Sequence, residues 1–378
     1  MAVAVQLGLN GHEQASDQRP RTLLRTCFVA ATNVRLPACS SSALMSILYL
    51  LTAPPPPIEG TDAVFQEVTA LRAAFQSEIA NLSPLKTSIR RFPKQLFGFH
   101  NIRELKRLER RCRINHLFFS FPYPFPILRL LYNPVIYTVT ASLDVSKPPP
   151  ARGRLQRLRR IVVSNERDAA VLKAWGLTNY AIIPAGIAAP RVVATARPPD
   201  GKLTLLMASA PWTSKQFESK GVDLLLGAAA KLPFLRLILL WRGVLIDELA
   251  RRVARLGIGN RVEIVDRKVD VGDYLAKAHA AVVLVENGGL VRAFPHSLIE
   301  SLLAGKPVLL SNTISMADYV RSRECGVVLH AMNVHALTST IETLVRNYGL
   351  FARNAAQVGP EEFSITALVE SYRRLYAS

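Results

Sequence analysis

Short apolar runs alternate with helix-like segments along the chain from Met45 onward. The run SILYLLTA predicts a buried strand and PPPPIEG a rigid loop. The next segment, TDAVFQEVTALRAAF, predicts a helix with Val64, Val68, Leu71 and Phe75 on one stripe. Further strands are predicted in PVIYTVTAS, RIVVSN and NYAIIPAG. Because strands that alternate with helices build parallel sheets covered by helices, the pattern predicts an α/β fold.

The second half of the chain shows the same alternation more regularly. Its apolar runs of strand length are LTLLMASA, RLILLWRG, RVEIV, AAVVLV and PVLLS, and helix-like segments such as GVDLLLGAAAKL separate them. The last segment, EEFSITALVESYRRLYA, predicts an amphipathic helix whose inward positions are Phe363, Leu368, Tyr372 and Leu375. The two halves are therefore predicted to form two doubly wound α/β domains.

The predicted organisation has three parts. Residues 1–44 show no clear period and arginines interrupt their apolar stretches, so we expect a loose extension or a misassigned start, and not a signal peptide. Residues 45–187 form the N-terminal domain, which the C-terminal helix 361–378 joins. Residues 188–360 form the second domain, after a proline-rich boundary near 187–201. No apolar run approaches the ~20 residues that a membrane span needs.

Charge narrows the list of expected partners. The 378 residues include 47 Lys and Arg against 28 Asp and Glu, a net charge of +19, which favours anionic partners. The basic segment 86–113 precedes LFFSFPYPFPILRLL, so this region is either a membrane-facing surface or a solvated helix beside a core filled by aromatic rings. The four scattered cysteines indicate a reducing compartment and no structural zinc. We expect a cytoplasmic protein, free or peripherally bound at a membrane.

Several candidate residues follow predicted strands, where ligands bind in open α/β sheets. Lys215 and Lys220 precede a helix, where they could bind a diphosphate or remain exposed loop lysines. Arg242 and Gly243 follow another strand. His116 ends a strand-like run and could face the cleft between the domains or be a hydrogen-bonded structural histidine. The nicotinamide and Walker glycine signatures are both absent from the sequence.

The segment RAFPHSLIESLLAGKPVLLSN, residues 292–312, predicts a helix that runs into a strand. Ser297 and Glu300 have the spacing of a capping box, in which Glu300 only starts the helix. A carboxylate in the first turns of a helix could also receive ribose hydroxyls, while free amides receive phosphates. These residues alone leave both interpretations of Glu300 open.

The ordered series SNERDAAVLKAWGL, IIPAGI, KGVDLLLGAAAKL, FPHSLIESLLAGKPVLLSN, CGVVL and FSITALVESYRRLY resembles family 4 of the glycosyltransferases, retaining enzymes with the GT-B fold. The resemblance covers residues 160–378 and extends to 45–160 through PPPPIEGTDAVFQEVTALR. It implies two Rossmann-like domains that face across a cleft. It also implies that the C-terminal domain holds most of a nucleotide sugar and that the last helix crosses back to the first domain.

The resemblance assigns roles to individual residues. Glu300 matches the glutamate that receives ribose hydroxyls, Lys220 matches the lysine at the diphosphate, and Lys215 falls where the family often has an arginine. It also implies that backbone amides approach the phosphates and the sugar at five positions: Gly60, Thr61, His296, Ser297 and Leu298.

Two positions depart from the family pattern. Arg292 stands where the family has a glutamate that usually meets the transferred sugar, and Thr140 stands where many relatives have histidine. With Arg292 in this place, either the sugar is held differently or the enzyme is weakened.

The resemblance implies a hexosyltransferase-type enzyme that moves a sugar from a UDP- or GDP-sugar to a glycan, lipid or small-molecule hydroxyl, with retention and without a metal or other cofactor. Lys215, Lys220 and Arg292 would supply charge to the leaving diphosphate, with His116 as a further catalytic candidate. The alternative is a weakened homologue that acts as a basic membrane- or nucleic-acid-binding protein. Nucleic acid is the less favoured partner, because no recognised binding module occurs.

Overall fold

The computed structural model describes residues 46–53, 62–84, 93–188, 201–241, 244–358 and 362–378. Within these ranges the first half of the chain forms a six-stranded sheet with the order β2-β1-β3-β4-β5-β6, and all its strand pairs are parallel. Its strands are β1 (Ile47–Leu51), β2 (Ser77–Asn81), β3 (Ile114–Phe119), β4 (Val135–Val139), β5 (Arg160–Val163) and β6 (Tyr180–Ile182). Its helices are α1 (Ala63–Ala74), α2 (Ile102–Glu109), α3 (Arg152–Leu155) and α4 (Glu166–Ala174).

The second half forms another parallel sheet of six strands, in the order β12-β11-β10-β7-β8-β9. Its strands are β7 (Leu203–Met207), β8 (Leu235–Leu240), β9 (Val262–Val265), β10 (Ala280–Val283), β11 (Val308–Ser311) and β12 (Gly326–Leu329). The helices of this half and the chain end are α5 (Gln216–Ser219), α6 (Val222–Lys231), α7 (Ile246–Arg255), α8 (Val271–Lys277), α9 (His296–Leu303), α10 (Met316–Arg323), α11 (Val334–Arg346), α12 (Tyr348–Ala355) and α13 (Ile365–Ala377).

The strand order of the second sheet fixes where a ligand can bind. Chain order runs outward from β7 to β9 on one side and from β10 to β12 on the other, so the winding direction reverses between β7 and β10. Ligands of doubly wound sheets bind outside the carboxyl ends of the strands at this reversal. The predicted α/β class with two doubly wound, Rossmann-like sheets is confirmed.

The first sheet is buried on both faces, as the continuous apolar runs predict. Leu48 and Leu50 of β1 pack into one core layer, whereas Tyr49 packs into the opposite layer together with Tyr372 and Tyr376 of α13. The final helix of the chain therefore covers the first sheet. The inward positions predicted for this segment are all buried: Phe363, Leu368, Tyr372 and Leu375.

The aromatic segment after the basic region is mostly core. Phe118, Phe125 and Ile127 are no more than 2% exposed, which favours the interpretation that these side chains fill the first domain. Leu130 and Tyr132 are the exceptions, with 42% and 84% of their surface exposed. Among the described residues, none of the helices combines the length and the apolar character needed to cross a bilayer.

Some predictions lie outside the described residues. These are the extension 1–44, most of the boundary 187–201, and four candidate site residues: Gly60, Thr61, Arg242 and Gly243. Sequence patterns also missed β2, because SEIAN carries few apolar residues; it pairs in parallel with β1 at the edge of the sheet.

Candidate functional site

A cleft of about 380 Å³ lies where the carboxyl ends of both sheets converge. This volume is in the range of small-molecule sites. From the first half the cleft is lined by the start of α1 and by residues that follow β3 and β4. From the second half it is lined by residues that follow β7, β8, β9 and β10, and by the start of α9. The reversal point of the second sheet thus faces the first sheet across the cleft.

Lys220 lies in this cleft, and its position depends on the glycine that follows it. The side chain is 5% exposed, and its Nζ donates a hydrogen bond to the carbonyl oxygen of Ala210 at 3.3 Å. Gly221 begins α6 with a φ of 63°, and a Cβ there would lie 2.4 Å from Cβ of Leu284. A side chain at residue 221 would be strained both by this backbone conformation and by this contact, so glycine favours the turn that follows Lys220.

Glu300 lines the same cleft from the second turn of α9. Its carboxyl group makes no hydrogen bond to another described residue. Burial, and secondarily the charge of Asp270, raise the pKa of Glu300 to about 7. The capping box does not form, because Pro295 is the N-cap and no side chain caps the helix; Ser297 lies inside the first turn. The purely local interpretation of Glu300 is therefore wrong, and its role as a ligand stays a prediction.

The start of α9 presents two of the three predicted amides. His296 and Ser297 line the cleft, and their amides have no carbonyl partner within the helix. Leu298 differs, because its amide donates to the carbonyl oxygen of Pro295 at 3.1 Å and its side chain is fully buried. The structure therefore removes Leu298 from the predicted ligand-binding amides.

Arg292 lies beside the cleft but is not a free cation. The segment that carries it bridges to the end of β4: Arg292 pairs with Ala141, and the amide of Ala293 donates to Thr140 at 3.0 Å. The guanidinium Nη2 forms an ion pair with Glu67 of α1, whose side chain is 3% exposed. The charge that we expected to act on the diphosphate is therefore balanced by a carboxylate.

His296 contacts the residue that precedes Glu67. Its Nδ1 lies 2.8 Å from Oε1 of Gln66. Burial, and secondarily the charge of Arg292, hold the pKa of His296 well below its ordinary value, so the ring is neutral. Two adjacent residues of α1 thus contact the second half: Gln66 contacts His296 at the start of α9, and Glu67 contacts Arg292 in the segment before it.

Two other predicted residues do not reach the cleft. His116 is fully buried, with Nδ1 at 2.6 Å from the Tyr376 hydroxyl and Nε2 at 2.7 Å from Oγ1 of Thr138. Burial lowers the pKa of His116 to about 3, so it is a neutral core histidine. Lys215 is exposed at the start of α5 and does not line the cleft. These placements correct our expectation that both residues act at the site.

Other lining residues were missed by the sequence patterns. Arg267 and Lys268 follow β9, and the rule that ligands bind after strands could have identified them from RVEIVDRK. Trp212 and Trp241 follow β7 and β8 and give the cleft an aromatic wall. With Lys220, the two basic residues after β9 make this side of the cleft positive.

The described residues contain no group of three or more His, Cys, Asp or Glu side chains placed to hold a metal ion. Positive charge for an anionic ligand is instead available from lysine and arginine side chains in the cleft: Lys220, Arg267 and Lys268.

Comparison with known proteins relates the second half to one family. Residues 213–359 match the model described as glycosyl transferases group 1. A curated relative, the lipopolysaccharide core biosynthesis glycosyltransferase LpsE of Rhizobium meliloti (strain 1021), is 28% identical over 165 residues. The match covers 43% of this chain and 47% of that relative, so it spans about half the relative's length.

Solved structures resemble a larger part of the chain. Sucrose-phosphate synthase from Thermosynechococcus elongatus has a TM-score of 0.65 at 18% identity, over 88% of this chain and 99% of that one. HepE of Anabaena, in complex with UDP-glucose, has a TM-score of 0.65 at 15% identity, over 88% of this chain and 99% of that one. WaaG, a glycosyltransferase of lipopolysaccharide biosynthesis, has a TM-score of 0.63 at 15% identity, over 88% of this chain and 100% of that one. The chain therefore has the GT-B fold, and its second half is similar to group 1 glycosyltransferases.

Proposed function

We propose that the protein is a retaining glycosyltransferase of family 4 that moves a sugar from a nucleotide diphosphate sugar to an acceptor hydroxyl. The observation that carries this proposal is the position of Lys220 and Glu300 on one cleft at the reversal point of the second sheet. A carboxyl group with no hydrogen-bond partner among the described residues suits ribose hydroxyls, and a buried ammonium group on the same cleft suits phosphate oxygens.

The donor is a UDP-sugar in this proposal, with a GDP-sugar as the other candidate. The support is chemical and comparative: the cleft carries excess positive charge, and the fold neighbour HepE has been solved with UDP and with UDP-glucose. The amides of His296 and Ser297 would receive the phosphate nearer the sugar, because the start of a helix favours negative charge.

Catalysis then rests on positioning and on charge. The bond between the anomeric carbon and the diphosphate oxygen breaks while the acceptor oxygen bonds to the same face of the sugar. The acceptor proton passes to the departing phosphate oxygen. Lys220, Arg267 and Lys268 stabilise the negative charge that develops on the leaving diphosphate, so that no metal ion is needed. Lys215 has no part in this mechanism, because it lies outside the cleft.

The acceptor in this proposal is a lipid-linked glycan at an anionic membrane surface on the cytoplasmic side. Both LpsE and WaaG are named for lipopolysaccharide biosynthesis. On this chain, Arg103, Lys106, Arg107 and Arg110 form one basic surface on α2, and the ammonium group of Lys106 lies 3.6 Å from the ring centre of the exposed Tyr132. We call these residues the α2 basic surface. Basic side chains beside an exposed aromatic ring suit the headgroup region of a bilayer.

The test is calorimetric titration with UDP-glucose and GDP-mannose, followed by a hydrolysis assay and by NMR of the anomeric product. We expect binding of UDP-glucose that Lys220→Ala weakens by about tenfold or more, since a charged hydrogen bond is lost. Lys231→Ala is the matched control, because Lys231 is exposed at the end of α6, away from the cleft. Binding without any turnover would instead assign the weakened homologue, and no binding of either sugar would contradict the proposal.

A further inference from the structure

A second pocket opens at the amino end of the first sheet. It is lined by residues within 124–135 and 154–159, beside the starts of β4 and β5 and helix α3. Its volume is about 530 Å³, which is in the range of small-molecule sites. The cleft lies at the other end of the strands and shares no lining residue with this pocket. We call it the amino-end pocket, and the proposed sugar transfer gives it no role.

One wall of the amino-end pocket is apolar. Phe125 and Leu155 are each 1% exposed, whereas Leu128, Leu131 and Leu158 are half-buried. All five side chains pack into the same core layer on one face of the first sheet. The three half-buried leucines keep part of their apolar surface outside that core. An apolar ligand would therefore be stabilised by covering this surface and removing it from water.

Arginine side chains border the same pocket: Arg129, Arg154, Arg157 and Arg159. The first three are exposed and form no hydrogen bond or ion pair with another described residue. The fourth donates from Nη2 to the carbonyl oxygen of Tyr376 at 3.2 Å, a contact that brings no opposite charge. Among the described residues that line the pocket there is no aspartate or glutamate. Guanidinium groups favour phosphate, which they bind through paired N–H groups.

The leucines and the arginines together define the ligand more narrowly than either group does. A fatty chain would satisfy only the leucines, and a free phosphate or a nucleic-acid backbone would satisfy only the arginines. A phospholipid joins a phosphate to an acyl chain and satisfies both. Basic and apolar side chains also occur together where proteins enter the boundary between lipid headgroups and chains.

The amino-end pocket adjoins the α2 basic surface. The amide of Asn133, which lines the pocket, donates to Oε1 of Glu109 in α2 at 3.1 Å. Tyr132 contacts Lys106 of the α2 basic surface, and it is exposed together with Leu130. Exposed apolar groups thus lie between two basic regions on one side of the first domain. A bilayer offers phosphates and chains to this whole side, which favours a lipid over an acidic protein partner.

We propose that the amino-end pocket binds one anionic phospholipid of a bilayer. The phosphate pairs with the pocket arginines, and the first part of an acyl chain lies on the half-buried leucines. This inference goes beyond the proposed function, because the pocket is a saturable site for a single lipid and does not depend on the sugar donor. It also differs from attraction by the α2 basic surface, which has no pocket for a chain.

The test is calorimetric titration with dihexanoyl phosphatidylglycerol, used below the concentration at which it forms micelles. We expect saturable binding by the full chain. Dihexanoyl phosphatidylcholine should bind about tenfold more weakly, because its choline group brings a positive charge to the arginines. Dibutanoyl phosphatidylglycerol should also bind more weakly, by about fourfold for each methylene that no longer reaches the leucines. Inorganic phosphate should be the weakest of these ligands.

A pair of double variants separates the pocket from the general charge of this side. Arg154→Gln/Arg157→Gln should weaken binding of dihexanoyl phosphatidylglycerol by about tenfold, since charged hydrogen bonds are lost. Both side chains are exposed and hold no described partner, so the melting temperature should not change. Arg103→Gln/Arg110→Gln, the matched control, removes the same charge from the α2 basic surface and should keep the wild-type affinity.

Several outcomes would overturn the inference. An equal loss of lipid affinity in both double variants would assign the binding to net charge, and inorganic phosphate that bound as tightly as the lipid would assign a site for free anions. Binding of a peptide of alternating glutamate and leucine, without binding of any lipid, would assign a protein partner. If the lipid bound as expected but UDP-glucose did not, the proposed donor would fail and the lipid site would stand.

Discussion

Arg292 and Glu67 form a buried ion pair that joins the segment before α9 to the middle of α1. The carboxylate side chain is 3% exposed and the guanidinium side chain 15% exposed. A pair so withdrawn from water is costly to break, because removal of one partner leaves the other charge buried.

The first prediction concerns the ion pair itself. Arg292→Met should lower the free energy of unfolding by about 3 to 5 kcal/mol, because Glu67 keeps a buried charge without its partner. The double variant Glu67→Gln/Arg292→Met should recover most of that loss in urea unfolding. Arg107→Met, which breaks the exposed pair with Glu104, is the control and should leave stability nearly unchanged. If the double variant were no more stable than Arg292→Met, the charge of Glu67 would not be the cause.

The second prediction concerns pH and UDP-glucose binding. Ribose hydroxyls that donate to Glu300 favour its ionised form, so binding should lower its pKa from about 7 and release a proton. Affinity should rise about tenfold between about pH 6 and pH 8, where the diphosphate diester itself does not titrate. Calorimetry in two buffers of different ionisation enthalpy measures the number of protons released when UDP-glucose binds. Glu300→Gln should bind more weakly and without pH dependence; proton uptake in the wild type would contradict the assignment.

The same group predicts a pH effect on the free protein. The folded-state pKa of Glu300 is raised from 4.5 to about 7. Its contribution to stability is therefore fully present below about pH 4.5 and is lost as the pH rises through about 7. Thermal unfolding should show Glu300→Gln to be more stable than the wild type at pH values above that window. Equal pH slopes in the two proteins would mean that the carboxyl titrates normally.

The fourth prediction tests why glycine follows Lys220. Gly221→Ala combines a left-handed backbone with the 2.4 Å approach to Leu284, so it should lower the free energy of unfolding by about 2 to 4 kcal/mol. Gly257→Ala is a matched control, because Gly257 has a φ of 66° but no atom within 4 Å of the added Cβ. That variant should lose only about 1 kcal/mol in denaturant unfolding. Equal losses would show that contact with Leu284 does not constrain the turn.

The fifth prediction concerns the α2 basic surface. Vesicles that contain an anionic lipid should bind the protein in a flotation assay, whereas neutral vesicles should not, and added salt should release it. Arg103→Glu/Arg110→Glu should weaken binding, because both residues lie on that surface. Arg251→Glu/Arg255→Glu, an equal charge change on α7, should have a smaller effect. An equal loss of vesicle binding in both variants would indicate that the net charge of the protein alone attracts it to the vesicles.

The sequence predicted the architecture well because apolar alternation reports burial directly. The strands from LTLLMASA to PVLLS and the inward face of the last helix lie where the pattern put them. Lys220 and Glu300 were singled out because one follows a strand and the other lies within a helix, and both line the cleft. The strands, the inward face of the last helix and the positions of these two residues are all determined by residues close to them in the sequence.

Other features depend on contacts between distant segments, which no local pattern reports. The Arg292–Glu67 pair joins residues 225 positions apart, so the sequence showed only an unexpected arginine. His116 was expected at the end of a strand but lies inside β3, and its ring contacts Thr138 and Tyr376, a residue 260 positions away. The capping interpretation of Glu300 failed for a local reason, since Pro295 is the N-cap and the helix begins at His296, one residue before Ser297.

The contacts made by Gln66 and Glu67 have a consequence for protein engineering. Hybrid enzymes are often built by joining the front half of one relative to the back half of another. In this chain Arg292 and His296 lie in the back half, but each is held by a residue of α1 in the front half. A hybrid that exchanges the halves would pair Arg292 and His296 with foreign residues. A chimera that keeps these contacts therefore needs α1 transplanted together with the segment from Arg292 to His296.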